Sequence, residues 1–289
     1  MARVHRLIDP SPPGRWWRAR LHAAIEYSHT EIHLERGHDD LDGLCIAFLS
    51  DLHAGHYLGR SEIERIAERI AESQPDLVLL GGDLINVRLR ELRLCAPLWE
   101  SLSPPLGVFA VPGNHDYFRP DLVDRWPTWL ERNGVPVLTN RGVRVQRGDA
   151  SLWLCGVDDL TEGAPCINRA LEGRRDEEPT LLLSHHPDLF RVASERGVDL
   201  QLSGHTHGGQ VRLFGWAPLN HSRYGWLRGH HRRHDAQLYV GRGVGCTLVP
   251  VRIGAPPEVP ILRLRRDAAA GAANATEPSP APSDTPRSS

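Results

Sequence analysis

The 289-residue sequence contains no lysine, and all 34 of its basic residues are arginine. The absence excludes any mechanism that needs a lysine Schiff base. We attribute it to genomic base composition rather than to function. No CxxC pair is present either, and the five cysteines are scattered and odd in number. This pattern indicates free thiols in a reducing compartment rather than a disulfide framework.

Long apolar runs are also missing. No run could span a bilayer, and the N-terminus has no apolar stretch typical of a signal peptide. We therefore expect a cytoplasmic protein. The formal net charge of −2 argues against nucleic acid as a partner. Hydrophobic residues make up 40% of the chain and charged residues 24%, which is ordinary for a globular protein with a sizeable core.

Composition divides the chain into three regions. Residues 1–43 form a lead-in, with an amphipathic Trp/Arg helix expected over 15–25 and an edge strand after it. Residues 44–266 form the main domain, and the Ala/Pro/Ser-rich residues 267–289 are predicted to be disordered. For the Trp/Arg helix we prefer packing on the domain. The alternative is peripheral contact with the inner face of the membrane.

Strand and helix patterns alternate in the first half of the chain, and strands dominate the second half. This order predicts an α/β fold in which a second sheet packs on the first. One helix is predicted over 61–73, with Ser61 as N-cap and Glu64 completing a capping box. Another is predicted over 89–102, weakened by Pro97. Short strands are expected over 135–138, 210–214 and 247–249.

Polar clusters follow five of the short apolar runs that are typical of buried strands. The clusters are Ser50-Asp51-Leu52-His53, Gly81-Gly82-Asp83, Gly113-Asn114-His115-Asp116, Ser184-His185-His186-Pro187 and Gly204-His205-Thr206-His207-Gly208-Gly209-Gln210. Because open α/β sheets bind ligands at the carboxyl ends of their strands, we expect one composite site. Any single member is common as a turn or surface residue, but the whole set is hard to explain by chance.

The donor types indicate a metal site. The predicted donors are Asp51, His53, Asp83, Asn114, His185, His205 and His207. Oxygen and imidazole donors without a thiolate favour Mn, Fe or Zn. Seven donors are too many for one tetrahedral ion and suit two divalent ions about 3.5–4 Å apart with a bridging carboxylate. Such a pair generates a bridging hydroxide at neutral pH, which points to hydrolysis at phosphorus.

The order of the clusters resembles the calcineurin-like metallophosphoesterase superfamily over about residues 44–265. The His-His-Pro at 185–187 and the Gly-His-Thr-His-Gly-Gly-Gln at 204–210 are similar to the bacterial branch that contains the phosphodiesterases YaeI and YkuE. Residues 239–245 and the Pro-Val-Arg at 250–252 are similar to that branch as well. The resemblance implies a four-layer αββα sandwich, in which helices flank two mixed β-sheets.

The resemblance also implies roles for the site residues. The first ion would be bound by Asp51, His53 and His207, and the second by Asn114, His185 and His205. Asp83 would bridge the two ions. His115 would face the substrate, as a general acid or by stabilising charge. Many relatives carry an Asp where this chain has Asn86, so we expect His115 to be less basic here.

By the resemblance, the substrate is a phosphodiester or a pyrophosphate, and a UDP-sugar lipid such as UDP-diacylglucosamine is a candidate. The alternatives are a broad phosphomonoesterase, a nucleotide phosphodiesterase, and a non-catalytic scaffold that uses the same fold as a binding surface. A complete set of donors argues against the scaffold. The sequence leaves the oligomeric state open.

Several other polar residues receive weaker interpretations. We interpret Asp116, Asp158 and Asp159 as structural residues, and His186 as either structural or functional. Arg242 is interpreted as solvated, with phosphate binding as the alternative. A basic stretch is interpreted as a solvated loop, with capping of a polyanionic substrate as the alternative. Its members are His221, His230, His231, Arg232, Arg233 and His234.

Overall fold

The computed structural model describes residues 23–55, 57–212, 216–217, 221–247, 249 and 251–266. The predicted tail lies outside these residues, as does all but the end of the helix predicted over 15–25. Within the described residues, no helix is both long enough and apolar enough to cross a membrane.

Two mixed β-sheets form the centre of the fold. The first contains, from edge to edge, β1 (Glu26–Leu34), β11 (Glu258–Arg266), β2 (Cys45–Leu49), β3 (Leu77–Leu80) and β4 (Val108–Ala110). In this sheet β11 runs antiparallel to β2, whereas the other neighbouring strands are parallel.

The second sheet has a parallel centre and antiparallel edges. It contains, from edge to edge, β5 (Arg141–Arg147), β6 (Ala150–Gly156), β7 (Thr180–Leu183), β8 (Leu200–Ser203), β10 (Ala236–Val240) and β9 (Gly229–Arg233). The strands from β6 to β10 are parallel, and β5 and β9 pair antiparallel at the two edges.

The main core lies between the two sheets. Ile46 and Phe48 of β2 meet Leu181 and Leu183 of β7 there. Alternate residues of β2, such as Ala47, point to the opposite face and pack against helices. Because the strands are buried on both faces, they appear in the sequence as continuous apolar runs.

Helices cover the outer face of each sheet. On the first sheet these are α1 (Arg60–Ala71), α2 (Leu92–Cys95), α3 (Pro97–Glu100) and α4 (Leu122–Arg132), and on the second α5 (Ile167–Ala170) and α6 (Phe190–Ala193). In α1, Ile63, Ile66 and Ile70 lie on the buried face at helical spacing. The predicted αββα order of layers is therefore confirmed.

Two helix predictions were wrong in detail. The first helix begins at Arg60 with Gly59 as N-cap, and the Glu62 carboxylate accepts the Gly59 N–H at 3.0 Å. The predicted cap at Ser61 was therefore two residues late. The helix predicted over 89–102 is instead a 3₁₀ turn followed by α2 and α3. The break falls before Pro97, which has no N–H to donate to the preceding turn.

Among the described residues, three predicted short strands are isolated bridges or are not in a strand. The segment 135–138 makes a single bridge from Val137 to Ala110, and the described residues 210–212 a single bridge from Val211 to Ile253. Neither described residue of 247–249 is in a strand. Conversely, part of the basic stretch is not a loop. Residues Gly229–Arg233 form the edge strand β9, because their backbone groups pair with β10.

Candidate metal centre

The predicted donors lie in loops at the carboxyl ends of strands from both sheets. Asp51 and His53 follow β2, and Asp83 follows β3. Asn114 follows β4, His185 follows β7, and His205 and His207 follow β8. Hydrogen bonds continue beyond the strands: the Asp51 N–H donates to Gly82 at 3.0 Å, and the Gly204 N–H to His185 at 3.0 Å. Each of these pairings joins neighbouring loops of one sheet, and the His205 N–H, which donates to Asp51 Oδ1 at 3.0 Å, joins the loops of the two sheets.

The backbone at the site is strained. Five of the predicted donors have left-handed backbone angles, with φ of 53° at Asp51, 45° at His53, 54° at Asp83, 68° at His205 and 50° at His207. Each non-glycine residue in this region costs about 1–3 kcal/mol. Such strain concentrates at functional sites, where the surrounding structure holds it in place.

Two glycines allow the close packing of these loops. A Cβ atom on Gly113 would lie 2.3 Å from Asp83 Oδ1, and one on Gly204 would lie 2.3 Å from Asp51 Oδ2. Both distances are far below van der Waals contact, so only glycine fits at either position. This explains why glycine directly precedes Asn114 and His205 in the sequence.

Asp51, His53 and His207 form one buried cluster. The Nε2 atoms of His53 and His207 lie 3.1 Å apart, and His207 Nε2 lies 3.4 Å from Asp51 Oδ1. The three side chains therefore direct their donor atoms at one small volume.

Asn114, His185 and His205 lie beside that cluster. The Asn114 Oδ1 and His205 Nδ1 atoms are 3.0 Å apart, and the rings of His185 and His205 are 5.1 Å apart. His185 Nδ1 is 2.8 Å from the Gly81 carbonyl, which fixes that nitrogen as the donor. The buried Nε2 of His185 has no hydrogen-bond partner among the described residues. A buried imidazole nitrogen of this kind is suited to a metal ion.

Asp83 lies between the two groups. Its Oδ1 accepts the backbone N–H of His115 at 2.8 Å. Its Oδ2 lies 3.4 Å from His185 Nε2 and 3.6 Å from His53 Nε2. One carboxylate oxygen thus faces an imidazole from each group. Asp51 is also central, because its Oδ1 lies 4.0 Å from His185 Nε2.

Burial sets the protonation of most of the histidines. It lowers the pKa of His53 to about 3 and that of His205 to about 2, and places the pKa of His207 well below its usual value. These three rings are therefore neutral at pH 7, which is the form that binds metals. Burial also raises the pKa of Asp51 to about 6.

Asp83 and His185 behave as an ion pair. Burial opposes the charge on each, but their mutual attraction prevails. It holds the pKa of Asp83 well below the usual range and that of His185 well above it. The pair fits a divalent cation, which would take the place of the proton on His185. Two carboxylates, neutral imidazoles and a His185 nitrogen whose proton a cation can replace together fit a pair of divalent ions.

His115 lies at the edge of the donor cluster. Its ring is 4.6 Å from the His53 ring, and its Nδ1 is 3.0 Å from the backbone carbonyl of Asn86. The predicted effect of Asn86 depended on its side chain, whereas His115 contacts the main-chain oxygen of Asn86. A ring nitrogen of His115 also lies within 4.8 Å of donor atoms of His53 and Asp83. His115 is therefore close enough to contact either a substrate or an ion.

Arg252 belongs to the Pro-Val-Arg segment noted in the sequence, but no role at the site was predicted for it. Its guanidinium donates to the carbonyls of Arg242 at 2.8 Å, Gly243 at 3.1 Å and Ala255 at 3.2 Å. It also donates to Gly245, and its Nη2 lies 3.2 Å from His207 Nδ1. The arginine thus joins the His207 loop to residues 242–245. The available signal was the Pro-Val-Arg segment at 250–252, which did not indicate a role for its arginine.

Asp116 connects two loops of the site through hydrogen bonds to their backbone. Its carboxylate accepts backbone N–H groups of Asp83 at 2.8 Å, Leu84 at 3.1 Å, Ile85 at 3.2 Å and Gly113 at 3.0 Å. This agrees with the structural interpretation. It also fixes the loop of the proposed bridging residue to the loop of Asn114.

The remaining weaker candidates have structural partners. Asp158 and Asp159 accept backbone N–H groups of their own turn. Arg242 is not solvated, because it pairs with Glu26 at 2.6 Å and Glu258 at 3.1 Å. The His186 ring packs 4.3 Å from the His205 ring, so it borders the site.

Comparison with known proteins agrees with this geometry. The model of the calcineurin-like phosphoesterase family matches residues 45–209. Phosphodiesterase YaeI of Escherichia coli is 35% identical to the chain, over 76% of the chain and 81% of that protein. The uncharacterized metallophosphoesterase YkuE of Bacillus subtilis is 31% identical, over 78% and 80%. A transmembrane protein with a metallophosphoesterase domain from Danio rerio is 33% identical over 82% of the chain, which spans 56% of that relative.

Proposed function

The chain belongs to the calcineurin-like phosphoesterase family and is a phosphoester hydrolase, and from that premise we propose a phosphodiesterase or pyrophosphatase with two divalent ions. The proposal is supported mainly by the convergence of seven candidate donor side chains from both sheets. Their oxygen and imidazole atoms favour Mn, Fe or Zn.

The donors divide between the two ions. Asp51, His53 and His207 hold the first ion, and Asn114, His185 and His205 hold the second. Asp83 is shared, since its Oδ2 faces an imidazole of each set. When bound, a pair of divalent ions supplies hydroxide at neutral pH and offsets charge on the phosphoryl oxygens.

His115 gives a proton to the leaving group. The carbonyl of Asn86 holds Nδ1 as a hydrogen-bond donor, so Nε2 is the nitrogen that can exchange a proton with the substrate. The His115 ring lies beside that of His53, so it would be next to the first ion. A backbone carbonyl stabilises an imidazolium less than a carboxylate does, so substrates with good leaving groups should react best.

A lipid-linked diphosphate such as UDP-diacylglucosamine is the proposed natural substrate, with peripheral contact at the cytoplasmic membrane face. Two exposed aromatic side chains support this. Phe118 is 53% exposed and stacks on His115 with ring centroids 5.7 Å apart, and Trp216 is 69% exposed. A substrate panel with UDP-sugar lipids, nucleotide diesters and phosphomonoesters tests the choice. Preference for monoesters would contradict it.

The function itself is tested with bis(p-nitrophenyl) phosphate. Protein loaded with Mn²⁺ should hydrolyse it, and chelator-treated protein should not. The Asp83→Asn variant, purified and loaded in the same way, serves as the matched control and should be inactive. An inert wild-type protein that holds two ions would contradict the proposal and favour a scaffold.

A further inference from the structure

A loop beside the candidate metal centre is fixed to the segment that carries His185. We call residues 221–227 the rim loop. The Asp188 carboxylate accepts the Ser222 hydroxyl at 2.6 Å and the Arg223 backbone N–H at 2.8 Å. Asp188 lies three positions after His185. One end of the rim loop is therefore held by the same turn that positions a predicted ligand.

The other end of the rim loop is held by the loop between His205 and His207. The Thr206 hydroxyl donates to the Leu227 carbonyl at 2.6 Å. Within the rim loop, Trp226 packs edge-on against Phe190 with ring centroids 5.3 Å apart. With contacts near both ends and one packed side chain, the rim loop has a defined position beside the site.

His221 is the residue of the rim loop that reaches the donor cluster. Its ring lies 5.6 Å from the His205 ring at an interplanar angle of 75°. The side chain is exposed, and it makes no hydrogen bond with another described residue. An imidazole that is open to solvent and has no hydrogen-bond partner among the described residues is available to a ligand.

We propose that His221 is a substrate-binding residue that donates a hydrogen bond to a phosphate oxygen on the side of the second ion. The inference rests on the proposed function, because it assumes a phosphate group over the two ions. His115 borders His53 of the first ion set, and His221 borders His205 of the second. The substrate phosphate would thus have His115 on the side of the first ion set and His221 on the side of the second, where His186 also borders His205.

The test compares His221→Ala with His231→Ala. His231 lies in β9, and its ring nitrogen is 3.0 Å from the Arg228 carbonyl, so it is a matched control within the same basic stretch. Each variant is loaded with Mn²⁺, and its metal content is measured. Binding of inorganic phosphate is then followed by calorimetry, and KM and kcat are measured with bis(p-nitrophenyl) phosphate.

Loss of one hydrogen bond to the phosphate should weaken phosphate binding and raise KM about tenfold in His221→Ala. Metal content should stay at the wild-type level, and His231→Ala should match the wild type. Unchanged phosphate affinity and KM in His221→Ala would overturn the inference, as would loss of an ion. Failure of the wild-type protein itself to bind phosphate would instead count against the proposed function.

Discussion

Replacing Arg252 with methionine should damage both the fold and the metal centre. The guanidinium donates to five backbone carbonyls, those of His207, Arg242, Gly243, Gly245 and Ala255. Methionine fills a similar volume but donates to none of them. Buried acceptors left without partners cost about 1–3 kcal/mol each, although relaxation and water reduce the sum.

We expect the free energy of unfolding to fall by about 3–5 kcal/mol, which is less than the full sum for five acceptors because relaxation and water restore part of the loss. His207 also loses the group that faces its Nδ1. Removal of such a partner of a metal-binding histidine lowers metal affinity by about 10- to 100-fold. Because His207 belongs to the first set of donors, one of the two ions should be affected more than the other.

Thermal unfolding by circular dichroism and calorimetric titration of the apo protein with Mn²⁺ measure the two effects. Arg144→Met is the matched control. Arg144 lies on the edge strand β5, where it pairs with Glu178 and donates to the Gly173 carbonyl. This control should lower stability without changing metal affinity. If Arg252→Met binds both ions as the wild type does, Arg252 has no role at the metal centre.

Three further outcomes are expected. Asp83→Asn should reduce kcat/KM by more than Asp51→Asn, since Asp83 serves both ions; equal losses in metal-replete assays would argue against bridging. His115→Ala should lower kcat by about 10²- to 10⁴-fold with unchanged metal content, whereas loss of metal would make His115 a ligand. Because the pKa of His185 is raised, Mn²⁺ must displace its proton. Metal binding should therefore tighten as pH rises and release protons at pH 7, which calorimetry in two buffers would detect.

The grouping of the seven candidate donors was predictable because each follows a continuous apolar run. Such runs indicate strands buried on both faces, and the carboxyl ends of those strands meet at one edge. The exact start of α1 was not predictable. Gly59 and Ser61 are both acceptable N-caps, and a Glu lies three positions after each. Tertiary pairing with β10 likewise decided that the basic residues Gly229–Arg233 form a strand.

Contacts between residues that are far apart in the chain could not be predicted from the sequence. Arg252 lies 45 positions from His207, and its partners are backbone carbonyls that carry no residue-specific signal. The same holds for Asn86, whose main-chain oxygen contacts His115. His221 fell within a stretch of histidines and arginines, where composition alone suggests solvent exposure.

The central claim is that seven side chains hold two cations in one buried site. Anomalous scattering from crystals of the Mn²⁺-loaded protein tests it most directly. We predict two peaks about 3.5–4 Å apart, with Asp83 in contact with both. A single peak at this place, or none while Mn²⁺ binds elsewhere, would contradict the account.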